Sequence, residues 1–557
     1  MTKKRWQSLA LVAMAACAST DGQKDALHPE TLQSGGARTP LQQSYDVLHY
    51  QLELKVDPNL ERIDGTMAIR LKAIAPLQRV ELDLDPRFDL GTAQQGIQAI
   101  DVERDEDKVR LLLKQPLAAG DVTTVSLSYG GEPYEAENPP WDGGFVWERT
   151  ENNEPWLATA VQGRGCDLWW PCKDYYGDKP DEGIDFIVTV PQPLVVAMNG
   201  VLIDQTTTAG LTTYHWRSPS PHTGYAIALN AGPFTLINDT FESRNGSSLP
   251  IAFYALPENS NKARMLIETD AKPHLRFFED LVGPYPWREE KVGFVETPHL
   301  GMEHQTINAY GQGYKPNVYG FDWLMHHELA HEWFGNAMTH ARPEDMWLHE
   351  GYALYMQPLY TRATRGEAAF RQHMEETYQQ IENIDPVVVP GAPHIDAAIS
   401  NSDVYYKGAW TLHTLRWLVG EDVFWRATRR LVYGTATPWQ RFGPWPGYRS
   451  TADFTAILSE EAGQDLSGVI GAYLYLAELP SLLIERRDDE LRLSWENTGP
   501  YAFHLPVPIA VNGRLVIVSM EGGEGRLKVG KDANVVIDPE AQILRRRSAD
   551  KSIDYRA

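Results

Sequence analysis

Residues 326–336 read His326-His327-Glu328-Leu329-Ala330-His331-Glu332-Trp333-Phe334-Gly335-Asn336. As a helix, this stretch sets His327 and His331 four residues apart on one face, so both imidazoles reach the same point. Glu328 follows the first histidine and projects beside that point. Two imidazoles and a neighbouring carboxylate supply two metal ligands and a base for the metal's water. Asp322 is the candidate N-cap of this helix and Gly335 its stop. Trp323, Leu324, Leu329, Ala330, Trp333 and Phe334 lie between them, so the helix is expected to be buried.

A catalytic zinc site needs a third protein ligand. Glu350 meets that need. It stands in a second helical stretch, Met346-Trp347-Leu348-His349-Glu350-Gly351-Tyr352-Ala353, and a helical hairpin turning through the polar segment from Thr339 to Asp345 returns it to the histidine pair. His326 has Ala330, not histidine, four residues on, and reads as a packing or supporting residue. Two histidines and a carboxylate around an open position favour zinc over other metals. The plain alternative, two histidines on an ordinary helix, leaves Glu350 and its Trp-Leu-x-Glu-Gly-Tyr-Ala setting unexplained.

These two segments closely resemble the gluzincin zinc aminopeptidases of the aminopeptidase N and leukotriene hydrolase type. The resemblance runs from about Tyr45 to the C-terminus. It implies one Zn2+ per chain on His327, His331 and Glu350, with Glu328 as general base. It also implies a multidomain α+β fold: an N-terminal β-saddle, a thermolysin-like α/β catalytic domain and a small C-terminal β-sandwich. The large C-terminal helical domain that many relatives carry has no counterpart here, which implies a more open site.

Composition agrees with a globular enzyme. The chain has 557 residues, 43% of them apolar, enough for several cores. Its 51 basic and 75 acidic residues leave a net charge of -24, which argues against nucleic acid or an anionic membrane surface as partner. Lys3, Lys4 and Arg5 precede a short apolar run from Leu9 to Ala16, the pattern of an export signal. Met14-Ala15-Ala16-Cys17 resembles a bacterial lipoprotein cleavage site, with Met14 where Leu is usual. Residues 1–17 are therefore read as a signal peptide, Cys17 as the lipidated N-terminus, and the protein as held on the periplasmic side of a bacterial envelope. Membrane contact is expected only through that lipid; ordinary secretion is the alternative. Cys166 and Cys172 remain, as a disulfide or as two buried thiols.

Residues 18–42 are polar and rich in Gly, Ser, Thr and Gln, and read as a tether. Residues 43–235 alternate apolar and polar in short runs, such as Tyr50–Val56 and Gly65–Leu71, and form an all-β domain. Residues 236–477 carry the zinc motif and helical periodicity. Within them Lys262–Leu281 is a helix that Pro273 kinks or breaks, and Val292–Val295 is a buried strand. Residues 478–557 return to strands.

The remaining site residues follow from the resemblance. Gly301-Met302-Glu303-His304 stands where the family has Gly-x-Met-Glu-Asn, with Leu300 replacing the first Gly and His304 the Asn. Glu303 is thereby assigned the substrate's α-ammonium, with Gly301 and Met302 lining the peptide. An edge strand that pairs with an extended peptide while a carboxylate holds its N-terminus acts as a ruler, so cleavage removes one residue. Gln162, ahead of Trp169-Trp170-Pro171-Cys172, is assigned to the same amine. Tyr405, two residues before Lys407-Gly408, matches the family's oxyanion tyrosine, and Tyr406 is its rival by register. The expected function is a zinc aminopeptidase acting on peptides with a free N-terminus. A catalytically silent peptide-binding homologue, an epoxide hydrolase-type side activity and an endopeptidase variant are the alternatives.

Overall fold

The computed structural model describes residues 34–340, 342–399, 402–440 and 448–547. The export signal and Cys17 lie outside these residues. Among the described residues, no helix is long and apolar enough to cross a membrane.

The N-terminal half is built from alternation. From Gln51 to Val56 burial switches at every residue, so Leu52, Leu54 and Val56 face inward. This strand, Tyr45–Asp57, pairs antiparallel with Arg62–Ala73 (Leu52 opposite Met67) and parallel with Ile184–Pro191 (Leu52 opposite Phe186). Those pairings belong to a ten-stranded sheet, with a separate four-stranded sheet alongside. The side chains between them form one core that includes the fully buried Trp169 and Trp170. Cys166 and Cys172, whose pairing the sequence leaves open, form a disulfide.

The tether assignment needs correction at its C-terminal end. Residues 34–42 are packed onto the body. Ser34 is fully buried. Its N–H donates to the Gly163 carbonyl (3.0 Å), its carbonyl accepts from Ile395 N–H (3.1 Å), and its hydroxyl donates to Asp174 (3.0 Å). Farther along, Thr39 and Gln42 donate to the buried carboxylates Glu81 and Asp83. Composition reported polarity, but these polar groups are spent on protein partners rather than on water.

The second half opens with a five-stranded sheet. Its order is Thr235–Glu242, Ser248–Ala255, Val292–Glu296, Asn308–Tyr310 and, at the edge, Gly301–Met302. The long helical stretch between its second and third strands is interrupted, as expected, close to Pro273. Ser260–Leu266 and Lys272–Leu281 are α-helical, and a π-turn over Ile267–Ala271 stands between them, just ahead of Pro273. The motif helix spans Trp323–Ala330 and the second helix Trp347–Arg365. The connection is more than a loop: Thr339–His340 pairs with Tyr448–Arg449. At the C-terminus two three-stranded sheets follow. Their inward residues, among them Leu482, Ile484, Trp495, Val507 and Ile509, join the same continuous core as Leu329, Trp333 and Trp347 of the motif helices.

The start of the motif helix is fixed by one buried carboxylate. Asp322 accepts from Met325 N–H at 3.0 Å, the N-cap bond, and from the Tyr310 hydroxyl. Tyr310 lies on the strand beside the edge strand, so the cap also ties helix to sheet. Asp322→Ala is expected to lose the cap and orphan the Tyr310 hydroxyl, at a cost of about 2–3 kcal/mol. Thermal denaturation should show a drop of roughly 5 °C in the midpoint for the unit that holds this helix.

Candidate active site

The motif helix ends where its chemistry requires. Phe334 leaves helical geometry (φ -109°, ψ 72°) and Gly335 adopts φ 155°. This turn sends the Phe334 carbonyl back to the helix, where it accepts from His331 Nδ1 at 2.9 Å. A carbonyl can only accept, so Nδ1 carries a proton and Nε2 is the ring atom left to meet an ion. A Cβ on Gly335 would lie 3.3 Å from that same Nδ1, so the tight return favours glycine. The terminal amide of Gln357 stands 3.3 Å from His327 Nδ1.

Three donor atoms converge. His327 Nε2 and His331 Nε2 are 3.2 Å apart, and Glu350 Oε2 is 3.3 Å from the first and 3.5 Å from the second. Tetrahedral coordination with zinc bonds of about 2.1 Å separates its ligand atoms by roughly 3.4 Å. The triangle therefore fits a zinc ion. Glu350 Oε2 is buried, with the two imidazole nitrogens as its ion-pair partners.

The electrostatics agree. Burial opposes charge on His331, but Glu350, Glu303 and Glu328 outweigh it and push its pKa up to about 10. Burial would raise Glu350, but His331 and His327 hold it well below the usual carboxylate range. The acidic neighbours thus favour a proton on His331 where no ion is bound. Glu328 is driven well above its ordinary value by burial; His331 opposes this, and Glu303 and Glu350 add to it.

Other side chains reach the same place. An oxygen each of Glu303 and Glu328 and a ring nitrogen of His331 lie within 4.8 Å of one another. Glu303 is buried, and its Oε1 accepts from Gln162 Nε2 at 2.6 Å and from the Tyr225 hydroxyl at 3.2 Å. Gly301 and Met302 form the edge strand beside it. A Cβ on Gly301 would fall 2.6 Å from Glu328 Oε1, so backbone and carboxylate are in direct contact. Tyr405 lies beside Glu350, its hydroxyl kept protonated mainly by burial and then by Glu350 and Glu303. Tyr406, its rival, is influenced by Glu382 instead. His326 is fully buried among the rings of His274, Phe278 and Tyr360, away from the triangle. Cys17 lies outside the described residues.

Tyr225, Gln357, Glu332 and Asn336 were not singled out in the sequence. Gln357 had a signal: it stands seven residues after Glu350, on the same helix face. Tyr225 had none, because it arrives from the N-terminal half.

Residues 320–438 match the peptidase family M1 domain. Endoplasmic reticulum aminopeptidase 1 of Rattus norvegicus is 25% identical over 338 residues, covering 57% of this chain and 35% of that protein. Leucine aminopeptidase 2 of Aspergillus terreus is 27% identical over 233 residues, covering 40% of this chain and 35% of that protein. The chain thus spans about a third of the length of these curated relatives. A crystal structure of an M1 zinc metallopeptidase mutant from Deinococcus radiodurans, bound to a Tyr-Ser-Ala substrate, is 25% identical with a TM-score of 0.66, covering 80% of this chain and 98% of that one. A two-domain M1 zinc metallopeptidase mutant bound to L-tryptophan has the same fold, with a TM-score of 0.67 at 24% identity over the same shares of the two chains.

Ion binding at this triangle is expected to release a proton from His331, whose acidic neighbours push its pKa up. Zinc affinity should therefore weaken about tenfold for each pH unit lowered between about 8 and 6. Competition titration of the zinc-free protein against a chromophoric chelator measures this slope. A pH-independent affinity would remove His331 from the ligand set.

Proposed function

We propose that this chain, which carries a peptidase family M1 domain, is a zinc-dependent aminopeptidase that removes single residues from the N-termini of peptides. One observation carries the reading. The buried carboxylate Glu303 stands at the end of an edge strand, within 4.8 Å of Glu328 and His331. An extended peptide paired with Gly301–Met302 brings its α-ammonium to Glu303 and Gln162, and its first peptide bond to Glu328. His327, His331 and Glu350 would hold one Zn2+ per chain. When bound, zinc supplies a Lewis acid that polarises the scissile carbonyl and acidifies water. Glu328 takes the proton of the attacking water and passes it to the leaving amine. Tyr405 donates a hydrogen bond to the oxyanion, a neutral donor aimed at charge that develops only in the transition state.

The same reading extends to location. Export through residues 1–17 and lipidation at Cys17 would hold the enzyme on the periplasmic side of a bacterial envelope, with peptides rather than membrane or nucleic acid as partners. Metabolic labelling with palmitate should mark the wild type and not Cys17→Ser; label on the variant would overturn the anchor.

Free aminoacyl-anilides should be cut and their N-acetylated counterparts spared. Glu328→Gln should retain zinc and lose activity by on the order of 10²–10⁴. Tyr405→Phe should lower kcat by about 10²–10³ with little change in KM. Burial raises the pKa of Glu303, with Glu350 adding to the effect and His331 opposing it. Only its ionised form holds an ammonium, so KM for free-amine substrates should rise as pH falls through that elevated pKa. Glu303→Gln should raise KM and abolish that dependence. Cleavage of blocked substrates would overturn the ruler, and zinc binding without cleavage would favour the silent peptide-binding homologue.

A further inference from the structure

Glu332 follows the ligand His331 yet takes no part in the proposed chemistry. It is fully buried. Its two oxygens collect five donors from three other parts of the chain. Oε1 accepts from Thr306 N–H (2.9 Å), Asn308 Nδ2 (2.9 Å) and the Tyr285 hydroxyl (3.1 Å). Oε2 accepts from Trp287 Nε1 (2.8 Å) and Asn336 Nδ2 (3.2 Å). Burying a carboxylate costs several kcal/mol unless donors surround it. A stabilising core needs no such group, and an apolar residue would fill the space more cheaply.

The donors explain the choice. Thr306 and Asn308 belong to the turn and strand that follow Glu303. Asn336 Nδ2 also donates to the Glu303 carbonyl at 2.9 Å. Glu332 therefore grips the segment carrying Glu303 at both ends, directly at Thr306 and through Asn336 at Glu303 itself. That segment is strained. Thr306 is β-branched and sits at φ 62°, a conformation that persists only where its surroundings impose it. Its N–H is one of the five donors.

We infer that Glu332 is a positioning residue that fixes the distance between the metal ligands of its own helix and the Glu303 carboxylate, and so sets where the ruler begins. The inference rests on the aminopeptidase reading. Glu332 touches neither substrate nor ion and acts through Thr306 and Asn336. Placing one carboxylate on the ligand helix removes any freedom of the strand to slide against the ion.

Two inhibitors separate the parts. Leucine hydroxamate engages zinc and the amine subsite; 4-methylpentanohydroxamate differs only in lacking the amine. Glu332→Gln keeps the size but presents an N–H among donors. It should weaken leucine hydroxamate by about tenfold or more, as expected when a reacting group is displaced by a fraction of an ångström. The amine-free analogue should stay within about twofold of its wild-type value. Zinc content should be unchanged, and KM for free-amine substrates should rise more than kcat falls. Asn336→Ala, which cuts the link to the Glu303 carbonyl and removes one of the five donors on Glu332 while leaving the Thr306 contact, should shift the same ratio less and serves if Glu332→Gln does not fold. Equal weakening of both inhibitors, loss of zinc, or an unchanged ratio in both variants would overturn the inference. If the wild type itself fails to prefer leucine hydroxamate, the aminopeptidase reading fails instead.

Discussion

The structure depends on three donor atoms held about a tetrahedral edge apart inside the protein. Two imidazoles and a carboxylate at 3.2, 3.3 and 3.5 Å cannot be left there as bare charges. A proton or a cation must sit among them. Much of the local sequence serves that constraint. Asp322 starts the helix, and the Phe334–Gly335 turn brings a carbonyl back to His331. Gln357 attends His327 from the helix that delivers Glu350. Each fixes an orientation before any ion arrives, which is what pre-organisation of a metal site means in atoms.

Around that centre the two halves of the molecule meet on Glu303. Its strand belongs to the five-stranded sheet, its hydrogen-bond donors Gln162 and Tyr225 come from the N-terminal half, and its carbonyl is held by Asn336 after the motif helix. The first described residues reinforce the same junction. Ser34 bonds to Gly163, next to Gln162, and to Ile395 on the other half. The setting of Glu303 is thus a property of an interface between the two halves, and the donor triangle a property of one helical hairpin.

That difference explains what could be read from the chain. His327, Glu328 and His331 are spaced by the pitch of a helix, and Glu350 sits within one hairpin of them, so their convergence is local geometry. The alternation of Tyr50–Val56 and Gly65–Leu71 likewise shows which face of each strand is buried. Glu303, Gln162 and Tyr405 were named through resemblance to a family, because nothing in their own neighbourhoods distinguishes them from surface carboxylates, solvated amides or core phenols. Residues 34–42 show the reverse failure: polar composition suggested a tether, yet Ser34 and Gln42 are polar because buried backbone and carboxylates need them as partners.

The sequence by itself determined the helix pair, its cap and stop, the convergence of two histidines and a carboxylate, and the β-rich character of both ends, since each depends on contacts a few residues apart or on a repeating period. The tertiary structure alone decided the pairing of Tyr225 with Glu303, the five donors on Glu332, the register that sets Tyr405 rather than Tyr406 beside Glu350, and the disulfide between Cys166 and Cys172. Those contacts bridge residues whose separation along the chain carries no information about their separation in space. They form only when burial of the two cores brings their carriers together.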